Sequence, residues 1–146
     1  MDKQIQTISN TGISAKTRKI DSIEFDGGDI EKAKDQHPGA TGSFTVTNNI
    51  IGKTTSDDGS PIVHLRVRVK ISPDPDTTGY ALKMSVSGLY KAESHLAEQE
   101  VEKLVLTAGS TDLYSYAKDK ISEITQDGLF GVPELPILLF RFDENR

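Results

Sequence analysis

Two runs of alternating apolar and polar residues, joined by a polar turn, dominate the middle of this sequence. In the first run Arg66, Arg68 and Lys70 separate apolar residues, and the second run repeats the alternation around Lys83. Successive side chains of a β-strand point to opposite faces of a sheet, so the pattern predicts an antiparallel hairpin with one apolar and one polar face. The apolar members are Leu65, Val67, Val69 and Ile71 in the first run and Tyr80, Leu82, Met84 and Val86 in the second.

Two weaker strand signals precede the hairpin. Residues 20–25 and 43–51 show a similar alternation, and the polar segment 29–36 between them predicts at most a short helical turn. Residues 1–19 are polar and lack a sustained period, which predicts a flexible tail or an edge strand. The sequence therefore predicts four strands in all.

After the hairpin the apolar spacing changes toward the period of a helix. Residues 96–105 predict a first amphipathic helix, and Gly109 predicts an interruption after it. Ser110 or Thr111 is the expected N-cap of a second helix, which should end near Gly128. The whole pattern predicts an α+β fold, in which helices pack on one face of a four-stranded antiparallel sheet.

Composition limits the class of protein. With 146 residues, 35% of them hydrophobic and 27% charged, residues 1–146 are expected to form a single domain. No apolar run approaches the roughly 20 residues of a membrane span. The first residues lack the features of a secretory signal and cysteine is absent, so a cytoplasmic location is expected. The net charge of −5 argues against a general nucleic-acid binder.

Motifs for catalysis or metal binding are incomplete, so neither an enzyme nor a cofactor is expected. Gly52-Lys53-Thr54 follows a strand as in a phosphate loop, but Thr47 occupies the position of the first required glycine. Residues 74–79 imitate the start of a calcium loop, but Ser85 stands where a bidentate Glu is needed. The histidines, which lack the spacing of metal ligands, are His37, His64 and His95.

Two blocks of the sequence resemble a known family. The first runs from Leu65 to Tyr90 and ends in a glycine followed by two large apolar residues. The second runs from Thr111 to Ile121, contains an aromatic-x-Tyr-Ala-basic-acidic pattern, and is followed by Gly128-Leu129-Phe130. Both blocks are similar to the SecB-type chaperones, which hold unfolded polypeptides. The resemblance implies an ATP-independent chaperone without a cofactor, assembled as a homodimer or homotetramer.

Large apolar residues near the end of the sequence are candidates for binding an unfolded client. Such a client needs a long apolar groove, and this cluster exceeds what a small two-layer domain readily buries, although each member could instead belong to the core. The candidate polypeptide-binding residues are Tyr90, Phe130, Leu135, Leu138 and Phe140. The candidates for subunit assembly, next to strand edges that invite pairing, are Tyr80, Leu82, Met84 and Val86.

Two departures from the family's pattern argue against a role in protein export. Lys83 occupies a position where the export chaperones present an acidic residue to the SecA motor, so docking to SecA is expected to be weak. The sequence ends at Arg146, where those proteins continue into a helix beside the groove, so another subunit is expected to supply that wall, or it is missing. The prediction is a solitary SecB-like chaperone for one aggregation-prone client, such as an antitoxin. The alternative is a non-chaperone binding protein on the same scaffold that neutralises a single host or phage factor.

Overall fold

The structure, a computed structural model, describes residues 11–34 and 42–142. Within these residues the chain forms one four-stranded antiparallel sheet with the strand order β1-β4-β3-β2 and with helices on one face. The predicted fold class is confirmed. The elements are β1 (Ile13–Asp26), α1 (Ile30–Ala33), β2 (Gly42–Thr55), β3 (Pro61–Pro73), β4 (Ala81–Ala92), α2 (Glu98–Leu104), a π-helical turn (Val105–Gly109) and α3 (Ser110–Thr125).

The central hairpin of β3 and β4 has the two unlike faces that the alternation predicts. Val67 pairs with Val86 and Val69 pairs with Met84 on the face that packs against the helices, which we call the helix face. The opposite face, which we call the open face, carries the polar residues of the same strands. Within residues 66–70 of β3 and 83–87 of β4 its members are Arg66, Arg68, Lys70, Lys83, Ser85 and Ser87.

The core lies between the helix face and the α2–α3 layer. Leu65, Val67 and Val86 of the sheet are fully buried, as are Val105 and Leu113 of the helical layer. Burial of each large apolar side chain contributes about 1.5–3 kcal/mol, so this layer holds the helices on the sheet. Among the described residues, no helix is long and apolar enough to cross a membrane.

Strands β1 and β2 extend beyond the predicted strands. β1 begins at Ile13 rather than near residue 20, and it forms one edge of the sheet. Its pairing with β4 shifts register between Ala15 and Thr17 and again between Ile20 and Ser22. Each such bulge adds a residue and breaks the alternation, so the strand has no continuous period in the sequence. Part of segment 1–19 is therefore edge strand, while residues 1–10 lie outside the described residues.

The predicted interruption near Gly109 is wrong, because the helix continues through a π-helical turn. The side-chain amide of Asn48 on β2 donates to the carbonyl of Leu106 at 3.1 Å and to Ser110 Oγ at 2.8 Å. A π-turn replaces the usual bonds by i→i+5 bonds, and a polar side chain can then satisfy a freed carbonyl. The side chain of Asn48 thus supplies the hydrogen bond that stabilises the π-helical turn.

The predicted N-cap at Ser110 or Thr111 is also wrong, because the helix runs from the π-helical turn straight into α3 and neither side chain caps it. No side-chain cap precedes α3, and Gly109 has helical dihedral angles. Ser110 Oγ instead accepts from Asn48, and Thr111 Oγ1 donates to the carbonyl of Thr107 at 3.0 Å. After α3 the segment 131–142 has neither helix nor strand, as its two prolines predict.

Candidate functional site

A groove of about 840 Å³ lies at the ends of β2 and β3, between α1, the β3–β4 turn and residues 129–136. These last residues belong to the C-terminal segment, by which we mean residues 129–142. Most side chains that line the groove are apolar, and several are exposed in spite of their size. We call it the apolar groove. Its main apolar lining side chains are Ile30, Phe44, Ile71, Tyr80, Leu129, Phe130, Val132 and Leu135.

Tyr80 fixes the C-terminal segment to the floor of the groove. Its hydroxyl donates to the carbonyl of Gly131 at 2.8 Å and accepts from the amide of Phe130 at 3.0 Å. The ring of Phe130 packs edge to face against the ring of Tyr80, with ring centroids 5.2 Å apart. The ring of Phe25 packs against Tyr80 as well, with ring centroids 5.4 Å apart. Phe130 is therefore held in one place although 39% of its surface stays exposed.

Two glycines make this arrangement possible. Gly28 has a φ of +92°, and a Cβ there would lie 2.7 Å from the Phe130 ring. A Cβ on Gly128 would lie 2.4 Å from the Tyr80 hydroxyl oxygen. Both distances are shorter than non-bonded atoms tolerate. Glycine at position 28 therefore lets the Phe130 ring approach the backbone, and glycine at position 128 lets the backbone approach the Tyr80 hydroxyl.

Helix α1 forms the opposite wall. Asp29 caps it, since its side chain accepts from the amides of Glu31 and Lys32 at 2.9 and 3.3 Å. The amide of Asp29 itself donates to Thr78 Oγ1 at 2.6 Å, which ties the helix to the β3–β4 turn. Ile30 is 61% exposed and lines the groove from this wall.

Beyond the groove, the C-terminal segment crosses α3 at Tyr114. The hydroxyl of Tyr114 donates to the carbonyl of Pro136 at 2.7 Å. Its ring lies edge to face with Phe140 at 6.1 Å and with Phe44 at 6.2 Å. In this part of the segment Ile137 is 95% exposed and Leu139 76% exposed, so these two side chains point away from the chain's own core.

The candidate polypeptide-binding residues fall into three groups. Phe130 and Leu135 line the apolar groove. Leu138 and Phe140 are half-buried and pack against the core, outside the groove lining. Tyr90 is 1% exposed and lies inside the core.

Tyr90 takes part in a polar link between β1, β4 and α3. Its hydroxyl donates to Asp112 at 2.8 Å, and the Arg18 guanidinium donates to both oxygens of the same carboxylate at 2.7 and 2.8 Å. Burial acts to raise the pKa of Asp112, but the hydrogen bonds from Arg18 and Tyr90 outweigh it and hold that pKa below its ordinary value. Burial, with the hydrogen bond to Asp112, raises the pKa of Tyr90.

The candidate assembly residues lie inside the chain's own core or at its margin. Leu82, Met84 and Val86 are at most 2% exposed on the helix face, and Tyr80 is 7% exposed beneath the groove. Within the described chain they contact the helical layer and the C-terminal segment.

Sequence reasoning missed Ile30, Val132 and Tyr114 as site residues. Ile30 and Val132 occur in short irregular segments without a period that would assign them to a face. Tyr114 lies on α3, where it is buried and holds Pro136 through a hydrogen bond. A hydrogen-bonding aromatic residue in a helix opposite an apolar, proline-containing segment was the available signal.

The motifs set aside in the sequence have structural roles here. Lys53, from the Gly-Lys-Thr run, lies within β2 and pairs with Glu98 at 3.2 Å and with Glu102, both on α2. His64 lies on β3 and His95 follows β4, while His37 lies outside the described residues. Within residues 11–34 and 42–142, no group of three or more His, Cys, Asp or Glu could hold a metal ion.

Comparison with known proteins gives a fold. No protein-family model matches the sequence, and no curated protein matches it. The structure is similar to the Mycobacterium tuberculosis SecB-like chaperone Rv1957, solved in complex with a ChAD peptide from the Rv1956 HigA1 antitoxin, with a TM-score of 0.57 and 12% identity. This match covers 88% of the present chain and 92% of the other. A protein of unknown function from Streptococcus agalactiae matches with a TM-score of 0.43 and 15% identity over 89% of this chain and 97% of that one. The chain therefore has a SecB-like fold.

Proposed function

We propose that this protein is an ATP-independent holdase, which binds extended apolar segments of unfolded or aggregation-prone polypeptides in the apolar groove. The groove itself carries the proposal. It combines a large volume with apolar side chains that stay exposed but are fixed in position by Tyr80, Gly28 and Asp29. Exposed apolar surface of this kind is typical of interaction sites and ligand-binding grooves, which supports binding of a polypeptide client here.

We infer different roles for the candidate residues from their contacts. Phe130 and Leu135 contact the client directly, together with Ile30 and Val132. Leu138 and Phe140 anchor the C-terminal segment on α3, which keeps Leu135 at the groove. Tyr90 acts through the core, by its hydrogen bond to Asp112. A client side chain that becomes buried in the groove contributes about 1.5–3 kcal/mol, so several weak contacts give useful affinity without strict sequence specificity.

The finer proposal is a solitary chaperone with a preferred client, such as an antitoxin. The support is the SecB-like fold together with a solved structure of that fold that holds a peptide from an antitoxin. Export is disfavoured because Lys83 places a positive charge on the exposed open face, where a motor that docks on acidic residues would be repelled. We further propose a cytoplasmic location and a homodimer or homotetramer, and light scattering of the purified protein would test the oligomeric state.

The test is suppression of aggregation of several unrelated denatured proteins, such as luciferase and malate dehydrogenase, by the full chain without nucleotide. Ile30→Asp and Val132→Asp place a charge in the groove at side chains that are 61% and 49% exposed, so both variants should fold. Both should lose most of the suppression.

Ile137→Asp is the matched control. Ile137 is an apolar, 95% exposed residue of the same C-terminal segment that does not line the groove, and its replacement should leave suppression intact. An equal loss with Ile137→Asp would move binding to the outer surface of the segment. Absence of suppression by the wild-type protein for every client, together with one tight partner, would favour the non-chaperone binding protein instead.

A further inference from the structure

We propose that the open face of the sheet is a second binding surface, which takes an extended acidic polypeptide segment. The charges on this face are arranged in rows across the strands. Lys83 of β4 pairs with Lys70 of β3 on one side and with Glu24 of β1 on the other. In the next row, Arg68 pairs with Ser85. The proposal is independent of the apolar groove, because the linings of the two sites share no residue.

Lys70 and Lys83 repel each other, because like charges directly opposite on antiparallel strands are destabilising. Arg68, Lys70 and Lys83 are exposed, and none of them forms an ion pair with another described residue. In contrast, Lys19 and Arg66 on the same face share the carboxylate of Asp21, each at 3.5 Å. Arg68 and Lys70 face no acidic residue across the ladder, so folding of the sheet does not account for these two cations, whereas an anionic partner would.

A shallow depression of about 360 Å³ lies at these cations. Hydroxyl groups surround it, and hydroxyls donate to carboxylate oxygens while the cations supply the charge. Its polar lining side chains are Ser22, Glu24, Thr45, Thr47, Arg68, Lys70, Lys83 and Ser85.

The spacing fits an extended peptide. Arg68 and Lys70 are two residues apart on one strand, which separates them by roughly 6.6–6.8 Å, and acidic residues at alternate positions of an extended segment have the same repeat. Nucleic acid fits less well, because no aromatic side chain of the described strands lies on the open face to stack on bases. Three unpaired cations also neutralise few phosphates in a protein whose net charge is −5.

The experiment is fluorescence anisotropy with the full chain and a short labelled peptide of alternating Glu and Thr. A peptide of alternating Lys and Thr and a labelled oligothymidylate serve as comparison probes. The acidic peptide should bind, the basic peptide should not, and added salt should weaken binding. Lys70→Glu and Lys83→Glu should each weaken binding by about tenfold or more, which corresponds to about 1.4 kcal/mol.

Lys32→Glu is the matched control, because it changes the net charge equally but lies on α1, outside the sheet. It should leave the affinity unchanged, as should Ile30→Asp in the apolar groove. Lys70→Glu places a carboxylate opposite Lys83, so its melting temperature should not fall, and lost binding would not reflect unfolding. No binding by the wild-type protein, an equal effect of Lys32→Glu, or tighter binding of the oligothymidylate would overturn the proposal.

Discussion

The two faces of β3 and β4 are made by the same stretches of chain, yet they differ in what determines their residues. On the helix face, Leu65, Val67 and Val86 are fully buried against the helical layer, so size and shape decide which residue fits. On the open face, Arg68 and Lys83 are exposed, and the sheet would form with other polar residues in their places. The difference separates residues that fold the chain from residues that are free to serve a partner.

We expect the largest difference in the free energy of unfolding between two substitutions on β3, one on each face of the sheet. Leu65→Ala opens a cavity beneath Gly109 and should lower the free energy of unfolding by about 2–5 kcal/mol. Arg68→Ala, on the open face, should change it by no more than about 0.5 kcal/mol. Urea denaturation followed by circular dichroism measures both. Similar losses at the two positions would show that the open face is also packed in solution.

Asn48 is a half-buried polar residue on the helix face of β2. Asn48→Ala removes the donor to Leu106 O and Ser110 Oγ, and the part-buried carbonyl that the π-turn frees then lacks its partner. We expect a loss of about 1–3 kcal/mol in stability, with faster amide hydrogen exchange in residues 105–110. Asn49→Ala, an exposed neighbour on the other face of β2, is the control and should have little effect. Unchanged exchange at the π-turn would contradict the role of Asn48.

Asp112 of α3, which bonds Arg18 and Tyr90 of the sheet, makes the stability of the packing between sheet and helices depend on pH. Its pKa is lowered in the folded protein, so its contribution is complete above the unfolded value of about 3.9 and is lost as the pH falls through the lower folded value. Asp112→Asn should cost on the order of 1 kcal/mol at neutral pH, since both Asp112 and Arg18 are 38% exposed and solvent screens the pair. Thermal unfolding across the pH range should show the variant and the wild type converging in acid. A constant difference would exclude ionic stabilisation.

The smallest expected effect is a gain in stability. Lys70→Glu replaces a like-charge pair with an opposite-charge pair across from Lys83 and should raise stability by about 0.2–1 kcal/mol at low salt. Calorimetry at low and high salt measures it, and the gain should shrink as salt increases. A loss of stability at low salt would mean that Lys70 has a structural partner, and the contrast between the faces would weaken.

The sequence predicted the hairpin, the helical layer and the fold class because, in regular strands and helices, burial of one face makes apolar residues recur with a fixed period. The prediction was incomplete where backbone irregularity shifts that period. In β1 the bulges after Ala15 and Ile20 shift the alternation, and in the helix the local sequence around Gly109 predicts an interruption where the chain forms a π-turn. Both irregularities depend on partners distant in the sequence, such as Asn48, so a local pattern does not contain them.

The candidate site was predicted in part. Phe130 and Leu135 were identified because a cluster of large apolar residues with two prolines cannot form a regular element. Whether each residue faces the groove, the core or solvent depends on where Tyr80 and Tyr114 hold the segment. Such positions follow from tertiary hydrogen bonds, so Leu138, Phe140 and Tyr90 could not be separated from the groove residues by sequence alone.

The π-turn also controls the rotational phase of the two helices. Buried positions recur at every fourth residue from Val101 in α2, through Val105 and Gly109, to Thr125 at the end of α3. In a straight α-helix, four residues overshoot a full revolution by about 40°, so a stripe with this spacing would wind steadily away from the sheet. The wider π-turn rotates it back, because four residues there complete less than one revolution. Removal of a single residue between 105 and 109 would therefore turn Tyr114 away from Pro136 while leaving both helices intact.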